Sequence, residues 1–538
     1  MNTHRTPQGM DSLKIYNPIQ GFCLFFILLG ILLRVDYFME NRSLRGDEAA
    51  YFSCLVSRTP QDILLGRNYN FYSPPAPIGF SFIERLCMNF FGYSEHVLRL
   101  IPLIFSLCGG LLFYSLVSQY SLSWAVPLAM GLFATSDRLI FFSADMHPYS
   151  AEVFFAILVL WMFNRLENKG FRSRDRMYFI FATVISVWFS YTVVFVLGGI
   201  AITSLGLAIF QKQKKLFRKI LITHSFWAIS FLFVYGVTIY PIMQRAITYS
   251  MWEGYFIKEP LNVLSAINWG LKAFWGFFRD PLGIISPLLG ILLFFAGIRQ
   301  LFYTNKRQIF LILSPFILTL GAALFKEYPF AGRTVLFLTP CFLILISLGV
   351  EIIVNHSKGR MRMFWLSSAF VILFIYPLMK TLDHFVYGWD NEEAREATRY
   401  LKDHMLPGDT LLMNNSARFS YGYYMGYFHI DMKNRWIGRI WDSLFEEHSN
   451  RPNARCIFEQ LVSDSNGFFI ATISNKDRLS HRIYSDQWLD VGYKREWLLL
   501  IEPSESLIKF LKRSLDHEQR LVKEIRFKNT YLYLLEKW

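Results

Sequence analysis

Runs of about 20 apolar residues alternate with short charged breaks from residue 19 to residue 382. Such a run matches the roughly 30 Å hydrocarbon core of a bilayer and reads as a transmembrane helix. Spans are expected near 19–38, 97–117, 123–142, 146–164, 177–190, 192–210, 220–242, 281–300, 308–325, 334–354 and 363–382, eleven in all. The pair 177–210 is ambiguous: Ser190-Tyr191-Thr192 either separates two short spans or kinks one long passage. With the N-terminus inside, the loops 1–18, 118–124, 165–176, 211–219, 299–308 and 355–363 carry 18 Lys/Arg in 65 residues. The main loops on the other side, 39–96, 136–150, 243–280 and 326–333, carry 12 in 119. Basic residues stay on the cytoplasmic side. The counts therefore favour two spans over 177–210, a cytoplasmic N-terminus and a non-cytoplasmic C-terminal region; one span there would invert the pattern downstream.

The loop 39–96 is patterned. Residues 47–58 read as a short amphipathic helix with Ala49, Ala50, Phe52 and Leu55 on one side. Residues 72–77 form a Pro-rich extended breaker, and 78–91 form a second apolar helix. Two such helices lie along the interface rather than cross it. From about residue 383 the pattern changes. Residues 389–405 have helical spacing, Pro407-Gly408-Asp409 is a turn, and 410–413, 468–473, 497–501 and 530–535 read as strands. Residues 1–382 are thus expected to form a membrane domain, and 383–538 an extramembrane α/β domain.

Composition narrows the class. Of 538 residues 53% are hydrophobic and 18% aromatic, with 53 Phe, which excludes an ordinary soluble enzyme. The net charge of +14 belongs to the membrane half: residues 383–538 hold 22 Lys/Arg and 23 Asp/Glu. Basic residues there set topology and meet anionic membrane lipid; no nucleic-acid partner is implied. Six cysteines at 23, 54, 87, 108, 341 and 456 show neither CxxC nor metal-ligand spacing. No small-residue cleavage site follows the first apolar run, which reads as a retained span.

Charged groups at span ends are costly and seldom idle. Asp47 and Glu48 lie just past the first span, and Asp145, His147, Tyr149 and Glu152 lie at the outer end of the third and fourth. Lys326 and Arg333 precede the tenth, and Gln244, Arg245, Lys258 and Arg279 lie in the loop 240–280. All face the non-cytoplasmic side. A carboxylate there can take a proton from an acceptor hydroxyl, and an Arg fork can hold a leaving phosphate. Each also has a plain alternative: an interfacial charge pair for Asp47-Glu48, a snorkelling Arg333, a His147 that caps the fourth span. Asp47 with Asp145 is a possible divalent-cation site.

The segment Asp47-Glu48-Ala49-Ala50-Tyr51, the Pro-Pro loop, Phe91-Gly92-Tyr93-Ser94-Glu95 and Leu98-Arg99-Leu100-Ile101-Pro102 together resemble polytopic GT-C glycosyltransferases. The branch they resemble is the protein mannosyltransferase, aminoarabinose transferase and galacturonosyltransferase-like group. Ser143 to Tyr149 is similar to that group's Ser-x-Glu-x-Arg/Lys-Pro-Tyr segment. Gly332-Arg333 with Leu336-Phe337-Leu338-Thr339-Pro340 is similar to its late Gly-Arg…Leu-Phe-x-x-Pro segment, and Arg395 to Asp409 to the start of its external domain. The resemblance spans about residues 20–425.

The resemblance implies transfer of a sugar, with inversion, from a polyprenyl-phosphate donor to a hydroxyl of a lipid, glycan or protein acceptor. The reaction would take place on the non-cytoplasmic face of a cell (inner) membrane. Asp47 would be the general base and Asp145 the second acidic site residue. Arg333 would lie near the donor phosphate. The loop charges themselves add Glu48, His147, Tyr149 and Lys326 as candidate substrate-binding residues, with Glu48 tuning Asp47. Asp145 replaces the commoner Glu, and His147 stands where Arg or Lys is commoner, so a fixed charge gives way to one that depends on pH. The alternative class is a transporter or lipid flippase, which calls for ionisable groups and broken helices near mid-membrane.

Overall fold

A computed structural model describes residues 18–67, 76–243, 255–257, 262–388, 392–406, 409–426, 462–463, 469–473, 495–503, 508 and 519–537. Among these, nine helices are long and apolar enough to cross a membrane, and a bent pair makes a tenth. The chain is a multi-pass membrane protein. The expected third span is that pair, Ala125–Thr135 and Asp137–Ala144, bent by 54° at Ser136. The expected fifth is Ser173–Phe189, 17 residues, about 26 Å at 1.5 Å per residue. Backbone at Ser190 is extended and a new helix starts at Val193, so the passage 177–210 is broken where expected. A further helix, Val263–Arg279, was not anticipated from the sequence.

Outward faces are apolar because lipid, not water, covers them; Phe25, Leu28 and Leu32 on the first helix are examples. Close packing then has to come from small residues and internal polar bonds. Helices Pro287–Thr304 and Thr339–His356 show the first device. Gly297 abuts the Leu345 carbonyl and Gly349 the Leu293 carbonyl, leaving no space for a Cβ at either. Arg34 shows the second. It is 2% exposed and donates to Phe133 O (3.0 Å), Ala134 O (3.1 Å), Gly30 O (3.0 Å) and Ser106 Oγ (2.9 Å). The bend at Ser136 frees the two carbonyls of the broken span, and Arg34 satisfies them.

The loop after the first helix carries helices Gly46–Ser57, Pro60–Leu64 and Ile78–Phe91. The breaker at 72–75, along with Gln244, Arg245 and Lys258, lies outside the described residues. Among the described residues the C-terminal part holds a six-stranded mixed sheet: β1 (Thr410–Asn414), β2 (Val462–Ser463), β3 (Phe469–Ile473), β4 (Arg495–Ile501), β5 (Gln519–Phe527) and β6 (Thr530–Lys537). Its order is β2-β3-β1-β4-β6-β5. β1 runs parallel to β3 and β4, and β5 and β6 form a hairpin on the β4 edge. Strands β2 and β5 were not expected; β5 carries four charged residues in nine and lies on an edge, where polar side chains face water. Helix Ala394–His404 packs Ala394, Ala397 and Leu401 on Leu411, Trp497 and Leu499, and Trp497 donates to Asp409 (2.9 Å). The turn residues Pro407 and Gly408 lie outside the described residues.

Candidate active site

The site is built on the non-helical backbone 41–45 between the first helix and Gly46–Ser57. Buried backbone groups need partners, and here side chains supply them. Arg99 donates to the carbonyls of Arg42 (2.7 Å) and Ser43 (3.1 Å), and Arg395 to that of Asn41 (2.7 Å). Leu44 N–H donates to Tyr424 Oη (2.7 Å) and Leu44 O accepts from Ser420 (3.3 Å). Gly46 N–H donates to Glu392 (3.0 Å), and Ser43 Oγ to Glu396 (3.0 Å). The segment 392–424 thus clasps this loop on one side and Arg99 on the other.

The clasp presents Asp47 and Glu48 in the first turn of a helix, where the dipole favours carboxylates. The two differ sharply. Glu48 is fully buried, and each oxygen accepts two donors. Oε1 takes Arg99 Nε (2.9 Å) and Met146 N (3.0 Å); Oε2 takes Arg99 Nη2 (2.7 Å) and Arg45 N (3.1 Å). No acceptor capacity faces outward. Asp47 keeps 27% of its side chain exposed. Its Oδ2 receives Arg45 (3.1 Å) and Arg333 (2.6 Å), and its Oδ1 receives the Glu48 amide (3.0 Å).

Arg45 Nη2 also reaches Asp145 Oδ2 (3.0 Å), so one guanidinium nitrogen joins the two acids. Asp145 Oδ1 holds His147 Nδ1 (2.5 Å). The imidazole stacks against Tyr51 and Tyr149, with centroids 5.9 and 5.6 Å away, and its Nε2 is buried with no hydrogen-bond partner. Arg333 lies over the Tyr149 ring at 5.6 Å. It sits on a 3-10 turn, Gly332–Leu338, rather than on an open helix end. Tyr328 braces that turn by donating to Thr334 O (2.7 Å).

The fold therefore brings Asp47, Glu48, Asp145, His147, Tyr149 and Arg333 together. Glu152 pairs with Thr192 and leaves Oε2 without a hydrogen bond. Lys326 is half-buried with a left-handed φ of 63°, in the turn after helix Lys306–Leu324. Arg45, Arg99 and Glu392 are site residues that span-end reasoning did not single out. Arg45 adjoins Asp47 in sequence, whereas Arg99 and Glu392 are brought in only by the fold.

Burial raises the Asp47 pKa, but Arg45, His147 and Arg333 outweigh it and hold the carboxyl well below the usual range. Burial likewise opposes Asp145, and Arg45 and His147 bring it down to about 2. Burial pushes Glu392 the other way, well above the usual carboxylate range; nearby Glu502 adds to the rise and Arg45 opposes it. Both site acids are ionised near neutrality, and only Asp47 is open to a ligand.

A divalent ion fits this donor set poorly. Arg45 already lies between Asp47 and Asp145, and His147 is committed to Asp145 through Nδ1. Among the described residues no group of three or more His, Cys, Asp or Glu can hold a metal.

No family model matches the chain, and no curated protein sequence matches it. The structure is similar to the oligosaccharyltransferase of Archaeoglobus fulgidus in the apo form, at 13% identity and a TM-score of 0.45. That match covers 77% of this chain and 64% of that one, so the chain spans under two thirds of the archaeal protein. It is also similar to ArnT from Cupriavidus metallidurans, in the apo state and bound to undecaprenyl phosphate. Each of those is 10% identical over 96% of this chain and 98% of that one, with a TM-score of 0.47.

Proposed function

We propose that the chain is a GT-C type membrane glycosyltransferase. It moves a sugar, with inversion, from a polyprenyl phosphate to an acceptor hydroxyl on the non-cytoplasmic face. The observation that carries the reading is Asp47: a half-open carboxylate in the first turn of an interfacial helix, with Arg333 on one of its oxygens. In the transfer, Asp47 takes the acceptor O–H proton while that oxygen attacks the anomeric carbon. The anomeric C–O bond to phosphate breaks and its electron pair leaves with the phosphate. Arg333, partly open beside Asp47, is the cation placed to take up that growing negative charge.

The ion pairs add a step. With Arg333 on Asp47, the carboxylate is a weak proton acceptor. A donor phosphate competes for the same guanidinium fork. Drawing Arg333 off Asp47 raises the basicity of Asp47 only when donor is present. The charge for phosphate and the base for the hydroxyl are in this way linked. Division into a membrane domain, 1–382, and an external domain, 383–538, accords with the clasp: the second supplies side chains that hold the catalytic loop of the first.

The transporter reading calls for an ionisable group beside a broken mid-membrane helix. Arg34 is such a group, but its donors are spent on Ser106 and three carbonyls. The cavity it lines is about 20 Å³, about the size of one water. The test is comparative mass spectrometry of envelope lipids and glycans from cells with the gene, without it, and with Asp47→Asn. One glycosylated species should disappear, and its unglycosylated acceptor accumulate, in both the deletion and the variant. An unchanged inventory in both would refute the proposal.

A further inference from the structure

Helix Tyr149–Asn168 is 20 residues long, about 30 Å. Its far end therefore lies across the membrane from Asp145 and Tyr149. There, between this helix and Ser173–Phe189, is a cavity of about 530 Å³ that the transfer reaction does not use. Its lining is two-toned. Trp161 and Tyr178 form an apolar foot toward the membrane, and Arg165, Lys169, Arg172 and Arg174 form the rim. Asp175 is the one acid in the lining, and Lys169 is paired to it at 2.8 Å. Three guanidinium groups remain around one opening. Arg174 donates to Tyr178 (3.0 Å) and Arg165 lies 5.5 Å over the Trp161 ring. Among the described residues neither Arg165 nor Arg172 is in an ion pair. Beside the cavity, Met177 and Phe181 on the second helix are exposed to lipid.

We propose that this cavity binds the headgroup of an anionic phospholipid. The phosphate sits among Arg165, Arg172 and Arg174, and the acyl chains run down past Trp161, Tyr178 and Phe181. Charge complementarity selects the headgroup: a net positive rim draws an anion, and a zwitterionic lipid brings its own cation into it. The apolar foot selects a lipid over a free ion, since a lone phosphate gains nothing from Trp161 and Tyr178. The loop 165–176 also belongs to the basic set of loops, the side on which the positive-inside pattern places cytoplasmic anionic lipid.

Native mass spectrometry of the full chain in detergent tests this, with phosphatidylglycerol and phosphatidylcholine of identical acyl chains. Phosphatidylglycerol should occupy a saturable site in several-fold excess over phosphatidylcholine. Each cation removed should weaken it roughly fivefold, so that Arg165→Gln with Arg172→Gln loses about 25-fold. A charge-matched control, Lys358→Gln with Arg360→Gln, should leave it unchanged. Equal retention of the two lipids overturns the proposal, as does a double variant that binds like wild type, or a control that loses as much. Displacement of the lipid by inorganic phosphate at millimolar concentration overturns it in favour of a free-anion site.

Discussion

Replacing Glu48 by Gln should strongly destabilise the protein, whereas replacing Asp47 by Asn should leave it about as stable and inactive. The two residues are adjacent and chemically alike, so the contrast rests on geometry alone. Each oxygen of Glu48 accepts two N–H donors. Whichever way a Gln amide turns, its NH₂ meets two donors, and Arg99 loses its counter-charge while 2% exposed. Breaking a buried ion pair by removing one partner costs about 3–5 kcal/mol, a large part of a total stability of about 5–15 kcal/mol. Asp47 is 27% exposed, and its partners Arg45 and Arg333 are 18% and 28% exposed. Partly solvated pairs of this kind contribute closer to ~1 kcal/mol. Losing a general base, however, slows transfer by about 10²–10⁴-fold, or ~3–5 kcal/mol in the barrier at 1.36 kcal/mol per decade. The assays are thermal unfolding in detergent and single-turnover transfer from a lipid-linked sugar. A Glu48→Gln protein as stable as wild type would end the argument, and so would an Asp47→Asn protein that turns over normally.

Three further outcomes follow. Arg333 lowers the pKa of Asp47, so Arg333→Ala should raise it; because the base must be ionised, the acid limb of the kcat/KM profile should move to higher pH, and an unmoved limb would separate Arg333 from Asp47 function. Burial with no partner for either oxygen holds Glu84 protonated, its pKa well above the usual range; the unfolded chain ionises near pH 4.3, so wild-type stability should fall as pH rises above that value until the folded group itself ionises, and Glu84→Gln should flatten the fall in melting temperature measured from pH 5 to 8. Gly297→Ala, which drives a Cβ into the Leu345 carbonyl, should cost about 1–3 kcal/mol, while Gly276→Ala, with open space around it, should be neutral or stabilising in the same unfolding assay.

The spans were legible because a hydrocarbon core needs length and apolarity, and both are local properties. Residues 78–91, expected as an interfacial helix, are helical over that same range. The bend at Ser136 was not legible as such: the sequence shows an apolar run, and what makes the break tolerable is Arg34, about 100 residues earlier. Asp47, Asp145, His147 and Arg333 were found from charge at span ends on one side, and they do converge. Glu48 read as a tuner of Asp47 because the two are neighbours. Of its four donors only the Arg45 N–H, the N-cap contact three residues back, is local; the two from Arg99 and the one from Met146 are assigned by no local pattern.

The C-terminal part announced itself by a change of composition but gave no sign of what it does at the site. The reason lies in the loop 41–45 and the helix start at Gly46. Five residues of irregular backbone, with Arg42, Ser43 and Leu44 buried, and the first N–H of the helix must find hydrogen-bond partners outside themselves. The sequence states that need; it does not name the supplier. In the structure the partners are Arg99 and, some 350 residues downstream, Arg395, Ser420, Tyr424 and Glu392. A loop whose amides are held by side chains from far down the sequence keeps its shape only while that segment stays docked. The position of Asp47 against Arg333 therefore depends on Glu392 and Arg395, which touch neither residue through a hydrogen bond. Changes at the clasp should lower turnover through geometry and leave donor affinity nearly intact, whereas changes at Arg333 should lower both.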